Sequence, residues 1–335
     1  MSRWYNDLSA QNEIAVSCRI RLARNIENLP FPSKMTDDDR KALNEQVKSA
    51  VLNSNTPFAK NLKYINMSDI PEIQRYAMVE RHIISPEFAA KTADTAIILS
   101  EDESISIMIG EEDHIRIQVL KSGMNLKDAY DLAESVDSLL SAQLNFAFDS
   151  ALGFLTECPT NLGTGLRASV MLHLPALENS GEINGLIDSI SKIGFTVRGM
   201  YGEGSKSLAS LYQVSNQITL GISENSALEN LSVITTQLIE KEKQARENLD
   251  LIKLEDVCWR AFGTLQNARI LSSEEMINLI SRVKLGISMG IINKECSPIK
   301  ILIEAQPFML MQAKGAMDAA DRDISRATMV RELLL

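Results

Sequence analysis

The sequence has 335 residues, 45% hydrophobic and 23% charged, a composition typical of a globular protein with one large or two modest domains. A net charge of −10 argues against nucleic acid or an anionic membrane surface as partner. Four widely spaced cysteines argue against a zinc site and a disulfide framework and fit a reducing cytosol. With no signal-like or membrane-spanning apolar run, we expect a cytoplasmic protein.

The first two thirds of the chain predict mixed strands and helices. Alternating or continuous apolar runs predict strands at 17–22, 94–100, 104–109, 114–120, 167–174 and 195–200, the second and third forming a hairpin around an acidic turn. Helical spacing predicts one helix at 125–144 and another that starts at Pro175 and ends before Gly194.

The pattern changes near Ser223. From there helices are predicted at about 223–247, 251–268, 272–286, 297–313 and 321–334. The fold class is therefore α+β, an antiparallel sheet flanked by helices and followed by an all-helical region, with domains at 1–222 and 223–335.

Arginines recur on the predicted strands, on the face opposite the apolar residues. They are Arg19, Arg21, Arg116, Arg167 and Arg198. If these strands are neighbours in one sheet, the planar guanidinium groups form a positive basin suited to phosphate oxygens. From alternation alone, ordinary solvated strand faces paired with carboxylates remain the commoner interpretation.

Four sequence segments favour the phosphate-binding interpretation over ordinary solvated strand faces. They read SCRIRLARN (17–25), IGEEDHIR (109–116), ECPTNLGTGLRASVMLHLP (157–175) and RGMYGEGS (198–205). Together they resemble the phosphagen (guanidino) kinase family over about residues 14–222.

Two departures from typical members of this family are informative. The arginine-bearing first strand begins at residue 17, so we expect the family's N-terminal helical domain, with its loop that closes over a small substrate, to be absent. Extra residues follow at the C-terminus, and with the 198–221 and ADRDISRA (320–327) segments this resembles the bacterial protein arginine kinase branch.

A third departure is Gly110, where the family usually has Asn before Glu-Glu-Asp-His. We expect glycine to loosen the loop that carries Glu112.

The resemblance implies ATP as phosphate donor, with Mg²⁺ bridging its phosphates and no metal-binding residue assigned. The implied ATP-binding residues are Arg19, Arg21, Arg116, Arg167, Arg198, His173, Ser17, Asn161 and Gly163. The segment with Asn161, Gly163 and Gly165 is expected to let its backbone approach a ligand closely.

The resemblance also implies the catalytic residues Glu112, Glu203 and Cys158. Two carboxylates can orient a guanidinium, and Glu112 would accept its proton. Cys158 would act electrostatically as a thiolate beside the positive cluster. As isolated residues, the glutamates would more often be turn carboxylates and the cysteine a small buried residue.

In the C-terminal region, Arg322, Asp323 and Arg326 resemble the phosphoarginine-binding motif of the protein arginine kinase branch. The resemblance implies that both arginines grip the phosphate and that Asp323 takes the guanidinium. Taken alone, the i,i+4 pair is more often a solvated helix face.

We therefore expect ATP-dependent phosphorylation of arginine side chains in proteins, which would mark these proteins for Clp-type degradation in stress-related quality control. By resemblance, the partners are protein substrates with accessible arginines, a zinc-binding activator protein, a Clp-type unfoldase-protease and a second copy of the chain in a homodimer or higher oligomer. A small-molecule (free arginine) kinase is one alternative, although a small substrate needs an enclosing lid to exclude water. A phosphoarginine-binding adaptor with weak catalysis is another.

Overall fold

The computed structural model describes residues 3–6, 14–54, 56, 59–200 and 207–334. Its strands are β1 Ala15–Arg24, β2 Leu62–Asn66, β3 Ala96–Ser100, β4 Ile105–Ile109, β5 Ile115–Ser122, β6 Phe148–Asp149, β7 Gly153–Phe154, β8 Leu166–His173, β9 Phe195–Gly199 and β10 Leu211–Asn216. Its α-helices are α1 Asp37–Leu52, α2 Glu72–Glu80, α3 Pro86–Ala90, α4 Leu126–Ser141, α5 Pro175–Asn179, α6 Ile183–Ser191, α7 Glu224–Glu247, α8 Leu251–Asn267, α9 Ser273–Ser288, α10 Pro298–Glu304, α11 Pro307–Lys314 and α12 Ala319–Leu333.

Eight strands form one sheet in the order β2-β3-β4-β5-β1-β8-β10-β9, and β6 with β7 forms a separate two-stranded sheet. The pairs β2–β3, β3–β4, β4–β5 and β1–β5 are antiparallel. The predicted hairpin is confirmed, with Ile98 opposite Ile107. The α+β class and the helical C-terminal region are likewise confirmed.

The sheet is covered by apolar helix faces. Helix α4 packs against β5 and buries Ala129, Ala133, Val136 and Leu140. Under β3 and β4, residues of α2 and α3 such as Met78 and Phe88 join a buried cluster. Buried apolar area of this kind stabilises by about 25 cal/mol per Å², and it holds β3, β4 and β5 in place.

Two predicted helices are each broken into two. The helix predicted from Pro175 divides into α5 and α6 at Gly181, whose φ of +78° is left-handed and ends a helix readily. The helix predicted over 297–313 divides into α10 and α11, because Pro307 has no N–H to continue the helical ladder.

The chain divides into two compact units, and each draws on separate stretches. One takes Met1–Trp4, Ser17–Val170 and Ser215–Ser232, and the other takes Tyr5–Val16, Met171–Val214 and Val233–Leu335. The predicted domain boundary between 222 and 223 stays a prediction, because this division follows compactness in space and not order along the chain. Among the described residues, no helix is long and apolar enough to cross a membrane.

Candidate active site

The predicted arginine-bearing strands are neighbours, because β5, β1 and β8 lie side by side in the sheet. In the β1–β5 register, Arg21 is opposite Gln118 and Ala23 is opposite Arg116. Paired residues point to the same face, so Arg19, Arg21 and Arg116 share one face of the sheet. The predicted convergence of these arginines is confirmed for the three strands.

The positive charges of these arginines act on one another. Burial lowers the pKa of Arg19 to about 10, with further lowering by Arg116 and Arg167. Burial also lowers the pKa of Arg21 well below its ordinary value, and the charges of Arg19, Arg116 and Arg167 add to the effect. The positive charges of the cluster therefore repel one another, and a bound polyanion would reduce that repulsion.

The cluster fits the phosphates of ATP. The Nε atom of Arg21 is buried and has no hydrogen-bond partner among the described residues. A buried guanidinium donor without an acceptor is costly, and phosphate oxygens are acceptors of matching geometry. Among the described residues, no group of three or more His, Cys, Asp or Glu side chains is placed to hold a metal ion.

A small cavity of about 140 Å³ opens on this cluster. Its lining residues are Arg21, Ala23, Glu112, Arg116, Cys158, Thr160, Asn161, Gly165 and Arg167. Since one water molecule occupies about 30 Å³ of the liquid, the cavity has the size of a phosphoryl group with a few waters. Three arginines make its lining positive.

A wider cavity of about 880 Å³ shares three wall residues with the small one, namely Glu112, Arg116 and Cys158. The rest of its lining is Pro32, Ser33, Arg40, Glu87, Lys91, Glu111 and Glu157. Four carboxylates line it, which suits a guanidinium. A positive cavity and a carboxylate-rich cavity thus meet at one wall.

The shared wall is held by a two-carboxylate clamp on Arg116. Its Nη1 donates to Glu111 Oε1 at 2.5 Å and its Nη2 donates to Glu112 Oε2 at 3.1 Å. Glu111 also accepts from Ser85 Oγ at 2.7 Å and from the Glu112 backbone N–H at 3.0 Å. The Glu111 side chain is 5% exposed and the Glu112 side chain 44% exposed. Glu111 is therefore fixed, and Glu112 is accessible from the wider cavity.

Asp113 ties three of the sequence motifs together. It is 1% exposed, and its Oδ1 accepts from Asn25 Nδ2 at 2.7 Å and from the Glu157 backbone N–H at 2.8 Å. Its Oδ2 lies 3.5 Å from Asn161 Nδ2. The sequence interpretation gave Asp113 and Asn25 no role of their own. Their place inside the recognised motifs was the available signal.

His114 fastens the end of β1 to the same turn. Its Nδ1 accepts from the Ile26 backbone N–H at 2.9 Å, and its Nε2 lies 2.8 Å from the Pro30 carbonyl oxygen. An accepting Nδ1 carries no proton, so the ring is neutral with its proton on Nε2. Burial lowers the pKa of His114, which favours that neutral form.

The glycines of this region make room for the protein's own backbone. A Cβ on Gly163, whose φ is +110°, would lie 2.2 Å from the Thr219 carbonyl oxygen. A Cβ on Gly165 would lie 2.6 Å from the Ala23 carbonyl oxygen. The close approach at Gly163 is thus to the protein's own backbone, and the role of Gly163 in ATP binding stays a prediction.

Gly110 also has left-handed backbone, with φ of +81°, and its N–H donates to the His114 carbonyl oxygen at 2.9 Å. Asn and Gly are the residues that adopt this conformation most readily. Gly110 therefore suits the left-handed backbone at this position, and its turn is closed by a hydrogen bond.

Several predicted residues are not brought to these cavities. Ser17 lies on β1 two residues before Arg19, is buried, and lines neither cavity. Arg198 is exposed on β9, the edge strand next to β10. Glu203 lies outside the described residues. Their roles stay predictions, as does that of Cys158, whose Sγ lies 3.1 Å from Thr160 Oγ1.

Known families match both parts of the chain. Residues 42–245 match the ATP:guanido phosphotransferase C-terminal catalytic domain, and residues 251–335 match the protein-arginine kinase McsB C-terminal domain. A protein-arginine kinase of Halothermothrix orenii is 43% identical over 100% of this chain and 97% of its own length. One of Moorella thermoacetica is 44% identical over 99% of this chain and 97% of its own length.

The chain belongs to the protein-arginine kinase family. It is thus a phosphotransferase with a guanidino acceptor. Among solved structures, a lombricine kinase superposes with a TM-score of 0.63 at 23% identity, over 74% of this chain and 72% of its own. A substrate-free duplicated taurocyamine kinase from Schistosoma mansoni gives 0.62 at 24% identity, over 80% and 42%. Both likenesses show the fold.

In this protein-arginine kinase family member, the C-terminal motif lies on α12. Arg322 and Asp323 are half-buried, whereas Arg326 is 1% exposed. Arg326 donates to the carbonyl oxygens of Ala305 and Leu271 at 2.9 and 2.8 Å and to Asp323 Oδ1 at 2.5 Å. Arg326 therefore bonds to internal acceptors and holds Asp323 in place, and the phosphate-binding role of both arginines stays a prediction.

His173, the predicted ATP-binding histidine, lies in the core. The ring is fully buried, and its Nε2 lies 2.9 Å from Ser281 Oγ on α9. Burial lowers its pKa well below the ordinary value, with Lys284 and Arg246 adding to the effect. His173 is therefore a core residue of the second compact unit, and its predicted place near the nucleotide stays a prediction.

Proposed function

We propose that the protein transfers the γ-phosphoryl group of ATP to arginine side chains of other proteins. The observation that supports this most directly is the pair of adjoining cavities. One is lined by arginines suited to phosphate, the other by carboxylates suited to a guanidinium, and Glu112, Arg116 and Cys158 belong to both. Phosphoryl transfer depends mainly on positioning and charge neutralisation, and both are properties of this wall.

In the proposed reaction, a substrate arginine enters the wider cavity and directs one guanidinium nitrogen at the γ-phosphorus. An N–P bond forms, the bond from the γ-phosphorus to the bridging oxygen breaks, and ADP leaves with that electron pair. The proton of the attacking nitrogen passes to the Glu112 carboxylate. Cys158, at the same wall, would align the guanidinium by its charge as a thiolate, and Glu203 would supply the second carboxylate.

Arg21, Arg116 and Arg167 would neutralise the negative charge of the phosphates during transfer, with Arg19 and Arg198 as further contacts. Mg²⁺ bound with the nucleotide would supply additional charge neutralisation. Asn161 would contribute its amide from the lining of the small cavity. Asp113 would keep the segments that carry Glu112 and Cys158 in register.

We further propose that Arg322 and Asp323 bind phosphoarginine, with Arg326 positioning Asp323. The modified proteins would pass to a Clp-type unfoldase-protease as part of cytoplasmic protein quality control under stress. A zinc-binding activator protein and self-association into a homodimer or higher oligomer complete the proposal. These partners rest on the family resemblance.

The test measures phosphate transfer from Mg-ATP to an unfolded arginine-rich protein and, in parallel, to free arginine. Acid-labile label on protein arginines, absent from free arginine, supports the proposal. Glu112→Gln keeps the shape of the side chain and removes the base, so we expect a 10²- to 10⁴-fold loss of kcat.

Glu229→Gln is the matched control, since Glu229 is an exposed glutamate of α7 that lines neither cavity. We expect it to keep kcat within a few fold. Label on free arginine alone would contradict the proposal, and so would equal losses in the two variants.

A further inference from the structure

The short helix α3 is held in place by its surroundings. Its Phe88 and Ala89 are 0% exposed and belong to the buried cluster under β3 and β4. Arg75 on α2 donates from Nε to the Ala89 carbonyl oxygen at 2.8 Å. A helix of five residues is not stable by itself, so these contacts give α3 its fixed position.

The two residues that cap α3 both bond to Glu111. Ser85 is the N-cap, and its Oγ accepts from the Phe88 backbone N–H at 3.1 Å. The one proton of that hydroxyl is donated to Glu111 Oε1, 2.7 Å away. Lys91 is the C-cap, and its Nζ donates to the Glu111 backbone carbonyl oxygen at 2.7 Å. Glu111 is thus held at its side chain and at its main chain by opposite ends of one helix.

Glu111 connects this helix to the shared wall. Its Oε1 also accepts from Arg116 Nη1 at 2.5 Å, and its Oε2 accepts from the Glu112 backbone N–H at 3.0 Å. Because the Glu111 side chain is 5% exposed, water cannot readily replace a donor that it loses. A displaced Glu111 carboxylate would therefore move Arg116 and the Glu112 main chain together.

We propose that Ser85 and Lys91 are positioning residues for phosphoryl transfer, which act through Glu111 on Arg116 and Glu112. The inference rests on the proposed function, in which Arg116 neutralises phosphate charge and Glu112 accepts the proton. Ser85 sets the direction of the Glu111 carboxylate and lines neither cavity. Lys91 sets the position of the Glu111 backbone, and its ammonium group is engaged there although the residue lines the wider cavity.

The first test compares Ser85→Ala with Ser85→Thr. Thr keeps the hydroxyl for both of its bonds, and Ala removes it. We expect kcat of the Ala variant to be about tenfold below that of the Thr variant, because misplaced catalytic groups lose transition-state contacts, with KM for the protein substrate within twofold. Glu111→Met has no acceptor and itself lowers kcat, and in that background the Ala-to-Thr difference should shrink below about twofold.

The second test is Lys91→Met, which keeps the stem of the side chain and removes the ammonium group. We expect kcat to fall by about fivefold, because the Glu111 backbone loses its donor. The KM for the protein substrate should stay within twofold. A rise of that KM beyond about fivefold would mean that Lys91 binds substrate and would overturn its positioning role.

Ser272→Ala is the control for the loss of a helix cap. Ser272 is the N-cap of α9, and its Oγ accepts from the Glu275 backbone N–H at 3.2 Å, as Ser85 Oγ does from Phe88. An N-cap serine stabilises its helix in either place. Both Ala variants should therefore lower the melting temperature, and only Ser85→Ala should lower kcat.

Equal kcat values for Ser85→Ala and Ser85→Thr would overturn the proposal, as would a tenfold difference that persists with Glu111→Met. If Glu111→Met does not fold, hydrogen exchange decides. The Glu112 amide should exchange faster in Ser85→Ala than in Ser85→Thr, because its acceptor is released, and equal rates would overturn the proposal. Absence of arginine phosphorylation by the unmodified protein would instead refute the proposed function. Faster Glu112 exchange in the Ala variant would then show that the contact is structural only.

Discussion

Asp113 offers the sharpest test of how the site is built. The side chain is 1% exposed and accepts two short hydrogen bonds, from Asn25 Nδ2 and from the Glu157 backbone N–H. Hydrogen bonds to a charged acceptor contribute about 1.5–3 kcal/mol each, and removing the acceptor leaves buried donors unsatisfied. We therefore expect Asp113→Ala to lower the free energy of unfolding by about 3–5 kcal/mol.

Asp113→Asn is the matched variant. Its amide oxygen can take the place of Oδ1 and keep both short bonds, although they lose the charge of the acceptor. We expect a loss of about 1–2 kcal/mol. Because Glu157 adjoins Cys158 in the chain, both variants should also lower kcat, the Ala variant more.

Urea denaturation measures the stability change, and transfer to an arginine-rich protein measures kcat. Similar losses below 1 kcal/mol in both variants would refute the reasoning, since they would mean that the carboxylate holds nothing in place. A full loss of stability with an unchanged kcat in the remaining folded protein would show that the hydrogen bonds of Asp113 do not set the geometry of the shared wall.

Three further predictions follow from the packing. Gly163→Ala should destabilise the protein by more than 1 kcal/mol in thermal denaturation, because its Cβ would meet the Thr219 carbonyl oxygen at 2.2 Å, whereas a rise in melting temperature would contradict this. Burial and the Arg19 charge lower the pKa of His82 to about 4, so stability should fall as pH drops from about 6.5 towards 4, by up to about 3 kcal/mol from this group, and His82→Gln should flatten that part of the profile. Glu242→Ala should cost about 3–5 kcal/mol in urea denaturation because it leaves the buried Arg246 unpaired, and a cost below 1 kcal/mol would show that the pair is dispensable.

Much of the fold followed from local patterns. The strict alternation around Arg116 and the apolar spacing of α4 need no information from the rest of the chain, and both elements were confirmed. Helix α1 was missed although Thr36 and Asp39 form a capping box at its start, a signal present in the sequence. Gly181 and Pro307 also mark the two helix breaks in the sequence. The apolar periodicity nevertheless led to the prediction of one continuous helix at each place.

The site could be predicted only in part. The shared face of Arg19 and Arg21 follows from alternation, but its approach to Arg116 depends on strand order and register, which no local pattern fixes. Burial of individual polar side chains was the feature that the sequence could not supply. Nothing in the sequence distinguishes an arginine or histidine that binds phosphate from one that bonds to internal groups, as Arg326 and His173 do.

The contacts of Glu242 have a practical consequence for anyone who wishes to isolate the catalytic part of this chain. Both of its oxygens accept backbone N–H groups at the start of α5, from Ala176 and Leu177, at 3.2 and 3.0 Å. A fragment cut at residue 222 would keep that helix start and lose the carboxylate that caps it, together with Ser281. The change of sequence pattern near residue 223 is therefore not a suitable truncation point, and a minimal kinase that ends there should be poorly folded.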